Sequence, residues 1–155
     1  MIIFKKAKPQ DAKGLAFASW KAFDNDINYG AKGKGGPPGY KSEKWQSRMM
    51  RLGKYYKIMY EFRIIGGFIV FEKKNSHFEL GRIFIHPDYQ NQGIGARAIE
   101  FMEKEFPQAR RWTLGTPRWN KHAQHFYEKM GFVKIGNEGQ DGILYGKIIF
   151  DNKEM

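Results

Sequence analysis

Between a β-rich run and an amphipathic helix pattern stands the segment Gln90-Asn91-Gln92-Gly93-Ile94-Gly95-Ala96. Two glycines at the opening turn of a helix let the backbone approach a ligand closely, and the unpaired N–H groups and positive dipole end there favour phosphate oxygens. An anion-binding turn is expected. It is not a P-loop, because no Gly-Lys-Ser/Thr follows, nor the three-glycine dinucleotide fingerprint, because position 98 is Ala98.

A second constellation, Asn120-x-x-Ala123-x-x-Phe126-Tyr127-x-x-x-Gly131-Phe132, comes about 25 residues later. Asn120 is placed to cap a helix. By spacing alone Tyr127, four residues after Ala123 and beside Phe126, also reads as a core aromatic. His122 and His125 fall one turn apart, a spacing that suits a metal, but no third ligand is placed by the sequence and both lie off the apolar face. They read as solvated positions, and no metal is expected.

The elements that must position these residues are set by period and punctuation. Ile2-Ile3-Phe4 opens as a strand, and Pro9-Gln10-Asp11 starts a helix through Leu15, Ala16, Trp20 and Phe23. Asp24 to Tyr40, rich in glycine and holding Pro37-Pro38, reads as a loop. Ser42-Glu43-Lys44 begins a second helix with Trp45, Met49 and Leu52 as its buried stripe and Gly53 as its stop. Tyr55–Phe62, Ile64–Phe71 and Phe78–Ile85 look like an antiparallel meander. Gly93–Phe106 is the next helix, Trp112–Leu114 a short strand, Asn120–Met130 a helix closed by Gly131, and Phe132–Ile135 and Ile143–Phe150 the last strands. The order is β-α-α-β-β-β-α-β-α-β-β in one α/β domain over 1–155, with no internal repeat.

Composition narrows the class. An apolar share of 41% with 13 Phe, 8 Tyr and 4 Trp excludes a disordered chain. The absence of cysteine excludes disulfides, thiolate metal sites and a Cys nucleophile. Lys5 and Lys6 come directly after Met1-Ile2-Ile3-Phe4, and the longest apolar run, Ile64–Phe71, is too short to span a bilayer. A soluble cytoplasmic protein, with no membrane partner, is expected. The formal charge is +11, and most of the excess lies in residues 1–60, which carry 13 Lys/Arg against 4 Asp/Glu. Such a charge suits polyanions and anionic cofactors alike.

The two constellations, Gln90-x-x-Gly93-x-Gly95 and Asn120-x-x-Ala123-x-x-Phe126-Tyr127-x-x-x-Gly131-Phe132, resemble the GNAT superfamily of N-acetyltransferases in order and spacing, closely over residues 78–135. The resemblance implies the GNAT fold, a mixed, mostly antiparallel central sheet of about seven strands with four flanking helices, and acetyl-CoA as co-substrate. It implies that Ile83, Phe84 and Ile85 pair with the thioester and pantetheine arm of acetyl-CoA. The pyrophosphate would lie on the turn built by Gln90, Asn91, Gln92, Gly93, Ile94, Gly95, Ala96 and Arg97. Asn120 and Phe126 would complete the cofactor site, and Tyr127 would be the general acid beside the CoA sulfur. Glu79 stands where several members carry a catalytic glutamate; if no bulge intervenes, it shares a strand face with Ile83 and could serve as the base, an alternative being an ordered water.

The remaining residues fit an acceptor side. The segment Gly30–Gly39, with Lys32 and Lys34, reads as an acceptor-site loop or lid, and Tyr29 and Tyr40 as aromatic lining; Trp20, Phe23 and Trp45 flank it too and could line the pocket, but are expected in the core. The expected activity is direct acetyl transfer to a primary amine of a small molecule or protein. A catalytically silent acyl-CoA-binding module is the alternative. A nucleic-acid-binding protein is a third reading, disfavoured because no helix-turn-helix, zinc-finger or RNA-binding sheet pattern is present. A homodimer is compatible with the family.

Overall fold

A computed structural model describes residues 1–150, so the last five positions of the expected domain lie outside the described residues. Strand β1 (Ile2–Lys6) leads through a 3-10 turn (Pro9–Asp11) into α1 (Ala12–Asp24). A second 3-10 turn (Asn25–Tyr29) and an irregular stretch precede α2 (Glu43–Leu52). Then come β2 (Lys54–Tyr60), β3 (Arg63–Glu72), β4 (His77–Ile85), a third 3-10 turn (Pro87–Tyr89), α3 (Ile94–Glu105), β5 (Arg111–Pro117), α4 (Lys121–Lys129), β6 (Val133–Glu138) and β7 (Gly142–Ile148). The seven strands form one sheet in the order β1-β2-β3-β4-β5-β7-β6. Among the described residues only the β4–β5 pair is parallel.

Side-chain alternation along the strands builds two layers of core. Tyr55 and Ile69 pack with Leu15, Ala18 and Ala22 of α1 and with Trp45 and Met49 of α2. Their chain neighbours Tyr56, Phe68 and Val70 point the other way, into the larger cluster containing Ile94, Ala98, Ile99 and Met102 of α3. Helices α1 and α2 therefore cover one face of the sheet, and α3 and α4 the other.

Local signals explain most element ends. Ser42 Oγ accepts from the Trp45 amide at 3.0 Å, the cap expected for α2. Gly131 at φ +95° stops α4 in the left-handed conformation that glycine takes without strain. One expectation for α2 is corrected, and Gly53 stops the helix as expected but by another means. Leu52 is 65% exposed and leaves the buried stripe, while Gln46 is fully buried and accepts the Tyr55 hydroxyl. Gly53 is extended rather than left-handed, and a Cβ there would come within 2.8 Å of the Phe71 ring, so packing and not backbone conformation demands glycine.

Two irregularities in β4 shape the space beside it. It pairs with β5 only through His77–Arg111, Phe78–Trp112 and Glu79–Thr113, and beyond that the strands part. Phe78 and Trp112, both fully buried, plug the closed end. The register against β3 also slips: Ile69 faces Arg82 while Val70 faces Leu80, leaving Gly81 as a bulge. A Cβ at Gly81 would overlap the Phe71 ring, so only glycine fits.

Candidate active site

Where β4 and β5 part, a cleft of about 1130 Å³ opens through the sheet. That exceeds the roughly 300–1,000 Å³ of ordinary ligand pockets and leaves room for two ligands meeting end to end. Ile83, Phe84 and Ile85 form one wall. Their inner backbone edge pairs with Phe68, Gly67 and Gly66 of β3, whereas the edge toward β5 has no strand partner. Gln90 Nε2 donates to the Ile85 carbonyl at 2.7 Å and ties the next turn to the strand end.

The turn has the geometry that its glycines suggest, but the two glycines do different jobs. Asn91 and Gly93 are left-handed at φ +61° and +80°, a shape that aims backbone N–H groups into an anion-binding concavity. A Cβ on Gly93 would meet nothing within 4 Å, so the space above the start of α3 is open. A Cβ on Gly95 would lie 3.1 Å from Phe126 Cζ, so Gly95 lets α3 and α4 approach each other. Gln90, Asn91, Gly93, Ile94, Gly95 and Ala96 line the cleft. Gln92 and Arg97 are exposed and lie outside its lining.

Helix α4 closes the other side. Asn120 Oδ1 accepts from the Ala123 amide at 3.0 Å, and Asn120 also lines the cleft. The buried Gln124, which the sequence does not single out, donates to the carbonyls of Pro117 (3.1 Å) and Arg118 (3.0 Å), locking α4 to the end of β5. Phe126 and Tyr127 face the cleft. The Tyr127 ring is held by Phe126, Phe132 and Tyr145 at centroid distances of 5.3, 6.1 and 6.3 Å. Among the described residues its hydroxyl has no hydrogen-bond partner. Burial, with a smaller contribution from the charge of Asp26, pushes the phenol above its ordinary range, so it carries its proton at neutral pH.

The remaining wall comes from the segment after α1. Tyr29 lines the cleft and stacks on His122 at 4.0 Å and 10°, with its hydroxyl 3.4 Å from Asn91 Nδ2 and 3.5 Å from Gln90 Oε1. Thus His122 is exposed, as expected, yet partnered. Phe23, expected in the core, also lines the cleft. Tyr40 does not: it donates to Asp24 Oδ1 at 2.9 Å and packs edge-on against Phe23, anchoring the loop from behind.

Glu79 is likewise absent from the lining. The Gly81 bulge inverts the face of the residues beyond it, so Ile83 and Ile85 join the α3 side while Glu79 points to the α1–α2 side, 3.8 Å from Lys73 Nζ. The shared strand face expected for Glu79 and Ile83 does not exist.

Four charged residues that sequence reasoning misses line the cleft, Asp26, Arg82, Lys129 and Glu138, and two of them have their pKa moved by burial, Asp26 and Arg82. Arg82 sits 4.0 Å over the Trp45 ring and donates to the Pro38 carbonyl at 3.3 Å, and burial lowers its pKa to about 10. Asp26 has no side-chain hydrogen bond or ion pair among the described residues, and burial raises its pKa to about 6. No signal in the sequence marks Asp26, one of two acids in the segment 24–40, which has no periodicity. Among the described residues no group of three or more His, Cys, Asp or Glu is placed to hold a metal, and no helix is long and apolar enough to cross a membrane.

A sheet parted beside its parallel pair, a left-handed glycine turn at a helix start and an unpartnered phenol across the gap thus share one cleft. Residues 32–132 match the model of the Acetyltransferase (GNAT) family. The chain belongs to that family. It is 32% identical over 87 residues to the uncharacterized protein YrkN of Bacillus subtilis, a match covering 54% of this chain and 47% of YrkN. It is 36% identical over 69 residues to an uncharacterized N-acetyltransferase of Oceanobacillus iheyensis (OB1458), covering 44% of this chain and 39% of the relative. The chain thus spans less than half the length of these relatives. In structure it resembles the PaiA N-acetyltransferase of Thermoplasma acidophilum, solved with coenzyme A, with a TM-score of 0.81 over 96% of this chain and 99% of that one. At 18% identity that likeness shows the fold alone.

Proposed function

We propose that the protein transfers the acetyl group of acetyl-CoA directly to a primary amine of a small molecule or protein, both substrates being bound at once. The observation that carries this reading is the Tyr127 hydroxyl, protonated, without a partner and facing the cleft beside the unpaired edge of β4. The residues present suit the co-substrate: the open left-handed turn at Gly93 would receive the pyrophosphate, and the unpaired backbone of Ile83–Ile85 the pantetheine arm. When bound, acetyl-CoA supplies an activated acyl group.

This chain's residues then have three tasks. Backbone N–H groups of the free β4 edge stabilise negative charge developing on the acyl oxygen. Phe126 and Ile85 exclude water around the acyl end. Tyr127 donates its proton to the departing thiolate. Even an ordinary phenol near pKa 10 is a weaker acid than a thiol near 8.5, by about 2 kcal/mol, and burial of Tyr127 widens the mismatch, so donation accompanies bond breaking rather than preceding it. The test is thiol release from acetyl-CoA over a panel of primary amines, with the acetylated amine confirmed by mass. Amine-dependent release supports the reading; binding of acetyl-CoA without release would leave an acyl-CoA-binding module.

A further inference from the structure

Asp26 is held firmly in position and uses its carboxylate for nothing in the free protein. Its 3-10 turn is tied to the glycine turn by Asn25 Nδ2, which donates to Gln90 Oε1 at 3.2 Å, and to α4 by the Tyr29–His122 stack. The Asp26 carbonyl accepts from the amides of Gly30 and Ala31. The backbone is therefore fixed on both sides, and the half-buried side chain is presented to the cleft. A half-buried carboxylate without a partner destabilises a fold, and such an arrangement persists where a ligand completes it. Its charge also reaches the Tyr127 phenol, which places it within electrostatic range of the acid. The other ionisable groups lining the cleft are Arg82, His122, His125, Lys129, Glu138 and the phenols of Tyr29 and Tyr89, and none pairs with Asp26.

We propose that Asp26 receives the ammonium group of the acceptor and takes its proton before attack, so that the acceptors are primary amines that arrive as cations. The inference rests on the acetyl-transfer reading. Asp26 removes one proton from the ammonium. The nitrogen–carbon bond forms, the carbon–sulfur bond breaks, and Tyr127 passes its phenol proton to the sulfur. The second proton leaving nitrogen restores Tyr127, and Asp26 releases its own to solvent, one proton per turnover. A carboxyl whose pKa lies near 6 is a better base than an ordinary aspartate and is still ionised at neutral pH.

The test compares wild type, Asp26→Asn, Tyr127→Phe and the double variant His122→Gln/His125→Gln, using a primary amine of pKa above about 9 so that its own titration lies outside the window. Wild type should show an acid limb in kcat/KM with a midpoint near pH 6. Asp26→Asn should lose that limb and fall about 10²-fold or more at pH 7.5, whereas Tyr127→Phe and the histidine variant should keep it. Thermal unfolding gives a second readout that needs no activity. Because the folded-state pKa is raised, the fold loses stability as pH rises from about 4, where the unfolded carboxyl ionises, to about 6, and the whole loss is present above that, so Asp26→Asn should melt higher than wild type at pH 7.5. The difference should vanish once both folded and unfolded carboxyls are protonated, below about pH 4. Wild-type rates with the limb intact in Asp26→Asn, loss of the limb in the histidine variant, or a lower melting temperature for Asp26→Asn at pH 7.5 would each overturn the proposal. A wild type that acetylates no amine would instead overturn the acetyl-transfer reading, and is told apart because the failure precedes any substitution.

Discussion

The two walls of the cleft are held in place by different means. On the cofactor side, position comes from the main chain: the unpaired edge of β4, the left-handed turn at Asn91 and Gly93, and the Asn120 cap of α4. On the acceptor side, residues 25–40 contribute one 3-10 turn, and side chains fix it by reaching across to the first wall, Asn25 to Gln90 and Tyr29 to His122. A wall built from main-chain geometry binds the constant part of a substrate pair and tolerates little change. A wall attached by side chains can be rebuilt for a new acceptor without disturbing the first.

If the division holds, substitutions on each wall should separate in kinetics. The largest effect is expected at the junction: Tyr127→Phe should lower kcat about 10²-fold or more while acetyl-CoA affinity stays within about twofold. An unchanged kcat would remove Tyr127 from the chemistry. On the cofactor wall, Gly93→Val forces a branched residue to φ +80°, a strain of about 1–2 kcal/mol that should weaken acetyl-CoA binding roughly five- to thirtyfold by calorimetry. For the acceptor wall, His122→Ala removes the α4 anchor on which Tyr29 stacks, about 1 kcal/mol of ordering, and should raise the acceptor KM several-fold with a smaller change for acetyl-CoA. Equal changes in both constants would mean that the walls act as one unit. Smallest of all, Glu79→Gln should leave kcat/KM within about twofold, since Glu79 is absent from the cleft lining and lies 3.8 Å from Lys73 on the far side of the Gly81 bulge.

The same contrast explains what can be read from sequence. Gly93, Asn120 and Gly131 act through local backbone conformation, so residue type and spacing announce them, and period and punctuation suffice for the order of the elements. The bulge at Gly81 depends on Phe71, ten residues away and across a strand, so alternation alone puts Glu79 on the wrong face. Tyr40 flanks the glycine-rich loop and so reads as pocket lining, but its hydrogen bond to Asp24 turns it away. Asp26 gains its character only from burial by segments distant in sequence, and no local pattern encodes that. Gln46 and Gln124, polar residues in buried helix positions, break the apolar period because each satisfies a specific partner.

Acetyl donor and amine acceptor, placed on opposite walls, should occupy the cleft together and react without an acetylated protein between them. The initial-rate pattern with both substrates varied distinguishes this from a two-stage transfer. Double-reciprocal lines should intersect, because the cleft must hold both ligands before transfer. Parallel lines, with label from acetyl-CoA retained covalently on the protein when the amine is omitted, would contradict direct transfer.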